Sequence, residues 1–244
     1  MNVAYNLPAT ELLIQQANWL APARARVLRQ ISIARRERVL DLGAGYGAVT
    51  GELVRRSGGM VVAVDRAAHA LRVDAGPFAG AHRVRGDAVR LPFANASFDL
   101  IFTQLALLWI SPIEHAMDDI ARVLALGGAL VALEPDYGGL IEYPAEIAAR
   151  DLWIAGLARV GADPHIGRKL PEMLTRHGFS VNVGLFDTLY APSPARFDFL
   201  RDLPLTELEL ATLEHIEQEA LVRQSPWAQV AHLPFFLVTA IKTR

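Results

Sequence analysis

The sequence predicts an α/β fold, a mostly parallel sheet with helices on both faces. Three observations predict it. Short apolar runs alternate with amphipathic stretches of helical period from residue 38 to residue 133. The run Met60–Val64 is almost continuously apolar, as expected of a strand buried on both faces. Three glycines, Gly43, Gly45 and Gly47, stand where the first strand hands over to the next helix. Strand–helix alternation of this kind builds parallel strands joined by right-handed crossovers.

Each element has a local reason. Ala9–Leu20 and Pro22–Ile31 are predicted helices divided at Pro22, a residue suited to a first helical turn. Arg38–Leu42 is a short apolar strand, and Ala48–Arg56 is a helix stopped by Ser57-Gly58-Gly59. Met60–Val64 is the second strand, Ala67–Val73 a helix, His82–Arg85 a third strand and Phe98–Thr103 a fourth. Ser111-Pro112-Ile113-Glu114 reads as a helix start, with Ser111 as cap and Glu114 completing a capping box. That helix places Ile113, Met117, Ile120 and Leu124 on one face and ends at Gly127-Gly128. Ala129–Leu133 is a fifth strand. Beyond Glu134 the alternation breaks. Pro144–Val160 and Arg168–His177 are expected helices and Val181–Tyr190 a strand. Thr206–Val222 is a helix opened by a Thr206–Glu209 capping box, and Pro234–Lys242 is the last strand.

Composition narrows the function classes. The chain has 244 residues, 52% of them hydrophobic, a formal charge of −2 and no cysteine. Disulfides, thiolate metal sites and a cysteine nucleophile are therefore excluded. Acids and bases are mixed, so charge gives no case for nucleic acid or an anionic membrane. The apolar stretches Leu105–Ile110 and Leu233–Ile241 fall short of the roughly 18 residues a membrane helix needs. The first residues lack a basic start followed by an apolar run, and the expected location is the cytoplasm. The seven histidines show no metal-binding spacing, and no metal is expected.

The glycine loop Val39-Leu40-Asp41-Leu42-Gly43-Ala44-Gly45-Tyr46-Gly47 carries the strongest chemical signal. Glycine permits positive φ and close ligand approach, and the following helix start offers free N–H groups. A nucleotide-like ligand would bind there, outside the carboxyl end of the strand. Gly43, Gly45 and Ala48 also satisfy the dinucleotide pattern, and Asp65 lies about 20 residues on, where an acid accepts from ribose hydroxyls. These two features leave an NAD-dependent oxidoreductase open. Asp41 before the glycines suits a ligand bearing an ammonium group and would repel a pyrophosphate. Asp87, in Gly86-Asp87-Ala88, can accept from an adenine amino group.

The ordered segments VLDLGAGYG, VVAVDRA, RGDAVRLPF, FDLIFTQLALLWI and RVLALGGALVALEP resemble class I S-adenosylmethionine-dependent methyltransferases. Within them the chain is most similar to the group containing ubiquinone- and menaquinone-pathway enzymes. The resemblance spans residues 38 to 135. Leu126 departs from it, since the family usually has proline before the paired glycines. The resemblance implies a Rossmann-like, seven-stranded sheet whose last strand is antiparallel, with S-adenosyl-L-methionine as cofactor. It implies that Gly43, Ala44 and Gly45 line the methionine end with Asp41 nearby. Asp65 would hold the ribose, Arg66 would lie against the adenine, Asp87 and Ala88 would contact the adenine, and Gln104 would reach the methionine portion or the methyl.

Acceptor-site expectations follow from position. Glu134, Asp136 and Tyr137 stand at the carboxyl end of the fifth strand, where an acceptor would meet the cofactor. Glu134, Tyr137 and His165 are candidate catalytic groups. Asp136, Arg168, Trp109, Tyr5 and Tyr143 are candidates for the acceptor pocket. Asp118-Asp119 is expected to be a solvated helix face. The organisation expected is a single domain, 1–244, with a cofactor core at 32–135 and lid or substrate elements at 1–31, 136–178 and 192–228. The expected reaction is methyl transfer to a lipophilic or aromatic small molecule, by a monomer or homodimer without nucleic acid. The competing readings are the oxidoreductase, a non-catalytic cofactor-binding protein, and a methyltransferase acting on protein or nucleic acid. The last lacks both a basic stripe and a base-reading motif after the fourth strand.

Overall fold

The computed structural model describes residues 10–73, 76–225 and 227–244. Tyr5 lies outside the described residues. Within them a seven-stranded sheet forms from β1 (Arg38–Leu42), β2 (Met60–Asp65), β3 (Ala81–Arg85), β4 (Phe98–Gln104), β5 (Leu124–Pro135), β7 (Phe179–Leu185) and β9 (Phe235–Lys242). Their order is β3-β2-β1-β4-β5-β9-β7. β1 to β5 pair in parallel, and β9 runs antiparallel to both β5 and β7. The strand order reverses direction between β1 and β4, so their connections leave on opposite sides and open a crevice at their carboxyl ends. A separate two-stranded ribbon, β6 (Ile141–Tyr143) with β8 (Val230–His232), is a feature the sequence reading did not anticipate.

The pleat sends alternate residues of the central strands into two cores. Leu40, Ile101, Leu130 and Ala132 join one. Val39, Leu100, Phe102, Val131 and Leu133 join the other. α1 (Thr10–Trp19), α2 (Ala21–Gln30) and α3 (Thr50–Arg56) cover the second core through Ala17, Leu28 and Leu53. α4 (Ile113–Val123), α5 (Arg150–Arg159), α6 (Ile166–Arg176), α7 (Ala195–Arg201) and α8 (Glu207–Leu221) cover the first.

Several local expectations are corrected. Ser111 caps nothing. Pro112 itself occupies the N-cap with extended backbone, and Glu114 reaches across to Arg176 instead of folding back. α4 ends at Val123, four residues before Gly127. Leu124 already pairs with Phe98, and the strand resumes beside Leu100 at Ala129 after a bulge. Gly127 makes that turn at φ +74, and Leu126 is exposed on it, so a side chain other than proline fits there without a clash. The helix expected at 67–73 is one 3-10 turn, Ala70–Arg72. Residues 145–147 form another, so that only Arg150–Arg159 of the expected 144–160 helix is α-helical. β7 starts two residues earlier and ends five earlier than the strand expected at 181–190. The Thr206–Glu209 capping box forms as read, with Thr206 Oγ1 accepting from the Glu209 N–H and the Glu209 carboxylate from the Thr206 N–H.

Candidate active-site cleft

The crevice at the β1–β4 switch is a deep cleft walled on one side by the glycine loop and on the other by the segment after β4. The loop turns away from β1 because Gly43 and Gly45 adopt positive φ, +75 and +52, while Gly43 and Ala44 donate to the Val64 carbonyl. A Cβ on Gly43 would run into Ala106. A Cβ on Gly45 would meet nothing and would stand in the cleft. Gly43 is thus required for packing and Gly45 for open space.

Two carboxylates flank this loop in different states. Asp41 is buried at 4% exposure, and its Oδ2 accepts from Thr50 Oγ1 at 2.6 Å. Burial pushes its carboxyl up to about 6, opposed by the Thr50 hydroxyl and by Arg24, while Asp65 raises it further. Asp65, at the tip of β2, accepts from the Gly45 N–H through Oδ2 and from the Ala67 N–H through Oδ1, both at 2.8 Å. A carboxylate offers about four acceptor sites, so capacity for two vicinal hydroxyls remains. Asp87 makes the turn expected of Gly-Asp, its Oδ1 accepting from the Val89 N–H at 3.1 Å. Asp87 and the small Ala88 line the cleft with Arg66. The structure therefore brings Asp41, Gly43, Ala44, Gly45, Asp65, Arg66, Asp87, Ala88 and Gln104 to one cleft.

The acceptor-site expectations divide. Trp109 and Tyr137 line the cleft, Tyr137 against Trp153 with ring centroids 4.8 Å apart. Glu134 does not face it. Its side chain is fully buried, and Oε1 accepts from the N–H groups of Ala106 at 3.1 Å and Leu107 at 3.0 Å, capping the 3-10 turn Leu107–Trp109. Oε2 lies near the Thr103 hydroxyl without a hydrogen bond of ordinary geometry. Burial pushes Glu134 up to about 7, with the Leu107 and Ala106 N–H groups opposing. Asp136 is buried against α6, where its Oδ2 accepts from Arg168 Nε and Nη2 at 2.8 and 2.6 Å. His165 Nδ1 stands 3.5 Å from its other oxygen. Asp136 and Arg168 thus pair outside the residues that line the cleft, while Asp136 Oδ1 and His165 Nδ1 face each other without a hydrogen bond. Tyr143, on the exposed face of β6, is 64% accessible and away from that lining too. For Glu134 and Asp136 the reason is shared: alternate residues at the tip of β5 point to opposite sides, and Tyr137 falls on the cleft side.

Helices of two segments read as lid or substrate elements, 1–31 and 192–228, contribute to the cleft and its supports, and sequence reading missed Arg24 among them. Leu13, Gln16 and Ala17 of α1 and Phe199 of α7, with nearby Leu203, close the cleft from above. Arg24 of α2 is 3% exposed, bonded to Glu52, to the Ala17 carbonyl and to Gln104. An arginine amid the apolar positions of an amphipathic helix was the available signal. Leu105, a non-glycine residue at φ +56, turns the chain sharply out of β4 at the cleft floor. Asp119 pairs with Arg122 and accepts from the Leu91 N–H, so it is an anchored residue and not the solvated one expected. Among the described residues no group of three His, Cys, Asp or Glu could hold a metal ion, and no helix is long and apolar enough to cross a membrane.

A buried acceptor for an ammonium, paired acceptors for a diol, a slot bounded by Val64 and Ala88, and a backbone turn bare of side chains together fit an adenosyl amino acid. Comparison with known proteins agrees. Residues 40–132 match the Methyltransferase domain family. A demethylmenaquinone methyltransferase of Thermobifida fusca is 37% identical over 125 residues, 47% of this chain and 52% of that protein. The mitochondrial arginine-hydroxylase NDUFAF5 of Rattus norvegicus is 28% identical over 82% of this chain and 63% of its own length. The chain thus spans less than two-thirds of each relative. The YcgJ protein of Bacillus subtilis has the same fold, with a TM-score of 0.62 at 18% identity, covering 91% of this chain and 99% of that one. By its motifs, strand order and matched residues, this chain is similar over residues 40–132 to class I S-adenosylmethionine-dependent methyltransferase domains.

Proposed function

We propose that this protein transfers the methyl group of S-adenosylmethionine to a lipophilic or aromatic small molecule. The observation that carries this reading is the cleft itself. Its cofactor half is lined by Asp41, Asp65 and bare glycine backbone. Its outer half is lined by Trp109, Ile110, Tyr137, Trp153, Leu157 and Phe199. An outer half built this way favours apolar, planar acceptors.

Bound S-adenosylmethionine supplies an activated methyl group on a sulfonium that is already a good leaving group. The protein's share is alignment and exclusion of water. Asp41 accepts from the ammonium, Asp65 from the ribose hydroxyls and Asp87 from the adenine amino group. Gly43 and Gly45 let the backbone approach, and Ala88 and Arg66 border the adenine. Trp109 and Tyr137 bound the acceptor, and the Tyr137 hydroxyl is the candidate for moving an acceptor proton. Residues 1–31, 136–178 and 192–228 are the elements that select the acceptor. His165, Asp136 and Arg168 hold the start of α6 against the end of β5 and need not touch the acceptor, and Tyr143 stands exposed on β6. Nucleic acid is not the acceptor, and the working unit is a monomer or homodimer.

A second reading draws on the relative named as an arginine hydroxylase, which aligns with more of this chain than the menaquinone-pathway enzyme does. Under it the acceptor is an arginine and the product gains one oxygen atom, which requires molecular oxygen and a two-electron reductant as co-substrates, the second oxygen leaving as water. Thermal-shift titration tests the cofactor: S-adenosylhomocysteine should raise the melting temperature and NAD should not. Mass spectrometry of candidate acceptors then separates a methyl gain from an oxygen gain. Asp65→Ala should weaken S-adenosylhomocysteine binding strongly while the fold persists. Unchanged affinity would remove the ribose assignment.

A further inference from the structure

Arg196, in the first turn of α7, has buried donors that the protein leaves unpaired. Its Nε and Nη1 are closed off from solvent and have no hydrogen-bond partner. Nη2 has one neutral acceptor, Gln229 Oε1, at a long 3.4 Å. Gln229 is itself held, since its Nε2 donates to the Ala220 and Arg223 carbonyls. The guanidinium lies over the Phe197 ring, with Cζ 4.6 Å from the centroid. The carboxylate whose charge acts on it is Glu142, and both Glu142 oxygens are spent on the Ala149 and Arg150 N–H groups at the start of α5. Burial accordingly pushes Arg196 below the ordinary arginine value. Native proteins rarely keep charged donors buried without an acceptor, because the desolvation is not repaid.

The place of Arg196 says what kind of acceptor would repay it. α5 and α7 pack on each other. Gly156 of α5 sits against Leu203, in the turn that continues α7. One turn back along each helix, Trp153 and Phe199 both line the cleft. One turn further back stand Ala149, held by Glu142, and Arg196. Arg196 is three residues from Phe199 and seven from Leu203, so all three share a side of the helix. The apolar wall of the acceptor half therefore leads, at the margin where α7 meets the β6–β8 ribbon, to a guanidinium with open donors.

We infer that the methyl acceptor is an amphipathic carboxylate whose apolar body lies along Trp153, Phe199 and Leu203 and whose carboxylate accepts from Arg196. This rests on the small-molecule reading above and names the class of molecule that reading leaves open. Arg196 stands a helical turn beyond the lining residue Phe199, so it selects and orients the acceptor without touching the transferring methyl.

Calorimetry at saturating S-adenosylhomocysteine tests this with matched pairs, 2-naphthoate against 2-naphthamide and octanoate against octanamide. Wild type should bind at least one carboxylate about 10-fold or more tighter than its amide. Arg196→Met keeps the bulk of the side chain and removes the charge. It should bring that ratio to about one while amide and S-adenosylhomocysteine affinities hold, and Arg196→Lys should restore part of the ratio. Thermal melts supply a readout independent of the probe. Freed of an unpaired buried charge, Arg196→Met should melt at the wild-type temperature or above it. A wild type that prefers neither carboxylate overturns the inference, as does an Arg196→Met variant that loses carboxylate and amide equally or melts well below wild type. A wild type that fails to bind S-adenosylhomocysteine itself would overturn the cofactor reading and this inference with it.

Discussion

Glu134→Gln isolates a single buried charge. The Glu134 carboxyl has its folded value pushed up to about 7 by burial, against an ordinary value of 4.5. The folded state therefore holds this proton more tightly than the unfolded chain does. Native stability from this group is fully present below about pH 4.5 and is lost as pH rises through about 7. The shift spans about 2.5 units, which corresponds to on the order of 3 kcal/mol as an upper figure. Glutamine removes the titration and keeps the contacts. Its Oε1 still accepts from the Ala106 and Leu107 N–H groups, and its amide N–H can donate to the Thr103 hydroxyl, which lacks a partner in the native protein. The variant should match wild type near pH 5 and be more stable at pH 8 by up to that amount. For a domain of this size that is roughly 5–10 °C in melting temperature. Paired urea and thermal denaturation of both proteins from pH 5 to pH 8.5 measures it. All other titrating groups cancel in the difference. A stability gap that stays constant with pH would refute the assignment of a buried, proton-holding Glu134.

Three further outcomes are expected. Gly43→Ala places a methyl on the Ala106 side chain at positive φ and should cost about 2–4 kcal/mol of stability, whereas Gly45→Ala, with open space before it, should cost about 1 kcal/mol but weaken S-adenosylhomocysteine binding; equal stability losses in thermal melts would contradict this. Asp41 must be ionised to hold an ammonium. S-adenosylhomocysteine affinity should therefore fall as pH drops below about 6 while 5′-methylthioadenosine affinity stays level, and calorimetry showing parallel pH profiles would sink the role of Asp41. Thr206→Ala removes the α8 capping box and should cost about 1 kcal/mol in urea denaturation with no change in cofactor affinity.

Legibility in the sequence followed the range of the interactions. The glycine loop, Asp65 and the Thr206 cap were readable because each is closed by neighbours within a few residues or across one βαβ unit. Burial of the central sheet on both faces was readable from the continuously apolar run Met60–Val64, which leaves no polar face for solvent. Ser111 failed as a cap because the helix starts one residue later, with Pro112 at the N-cap, and Glu114 pairs instead with Arg176, 62 residues away. Glu134 and Asp136 were read as acceptor groups from their place at the tip of β5. Strand-end position does not say to which side a residue points, and both turned to the protein. Arg24, 80 residues from Gln104, left only a misplaced charge in an apolar helix face as its trace.

Two buried ionisable groups of this domain, Glu134 and Arg24, share a geometric role. Glu134 sits under the turn that Leu105 makes at φ +56 and grips the N–H groups of the two following residues. Ala106, so held, is the residue that a side chain on Gly43 would strike. Arg24 grips the preceding residue, Gln104. The wall after β4 is therefore clamped from the β5 side by a carboxylate and from the α2 side by a guanidinium, and the glycine loop packs against the part between them. A surface site could be shaped by apolar packing alone. A wall whose backbone must leave the sheet at an unfavourable angle needs directional bonds to hold it, and charged acceptors and donors supply the strongest ones. Their burial costs stability, as the raised Glu134 value shows. That cost is the physical counterpart of a cleft already shaped for its ligand.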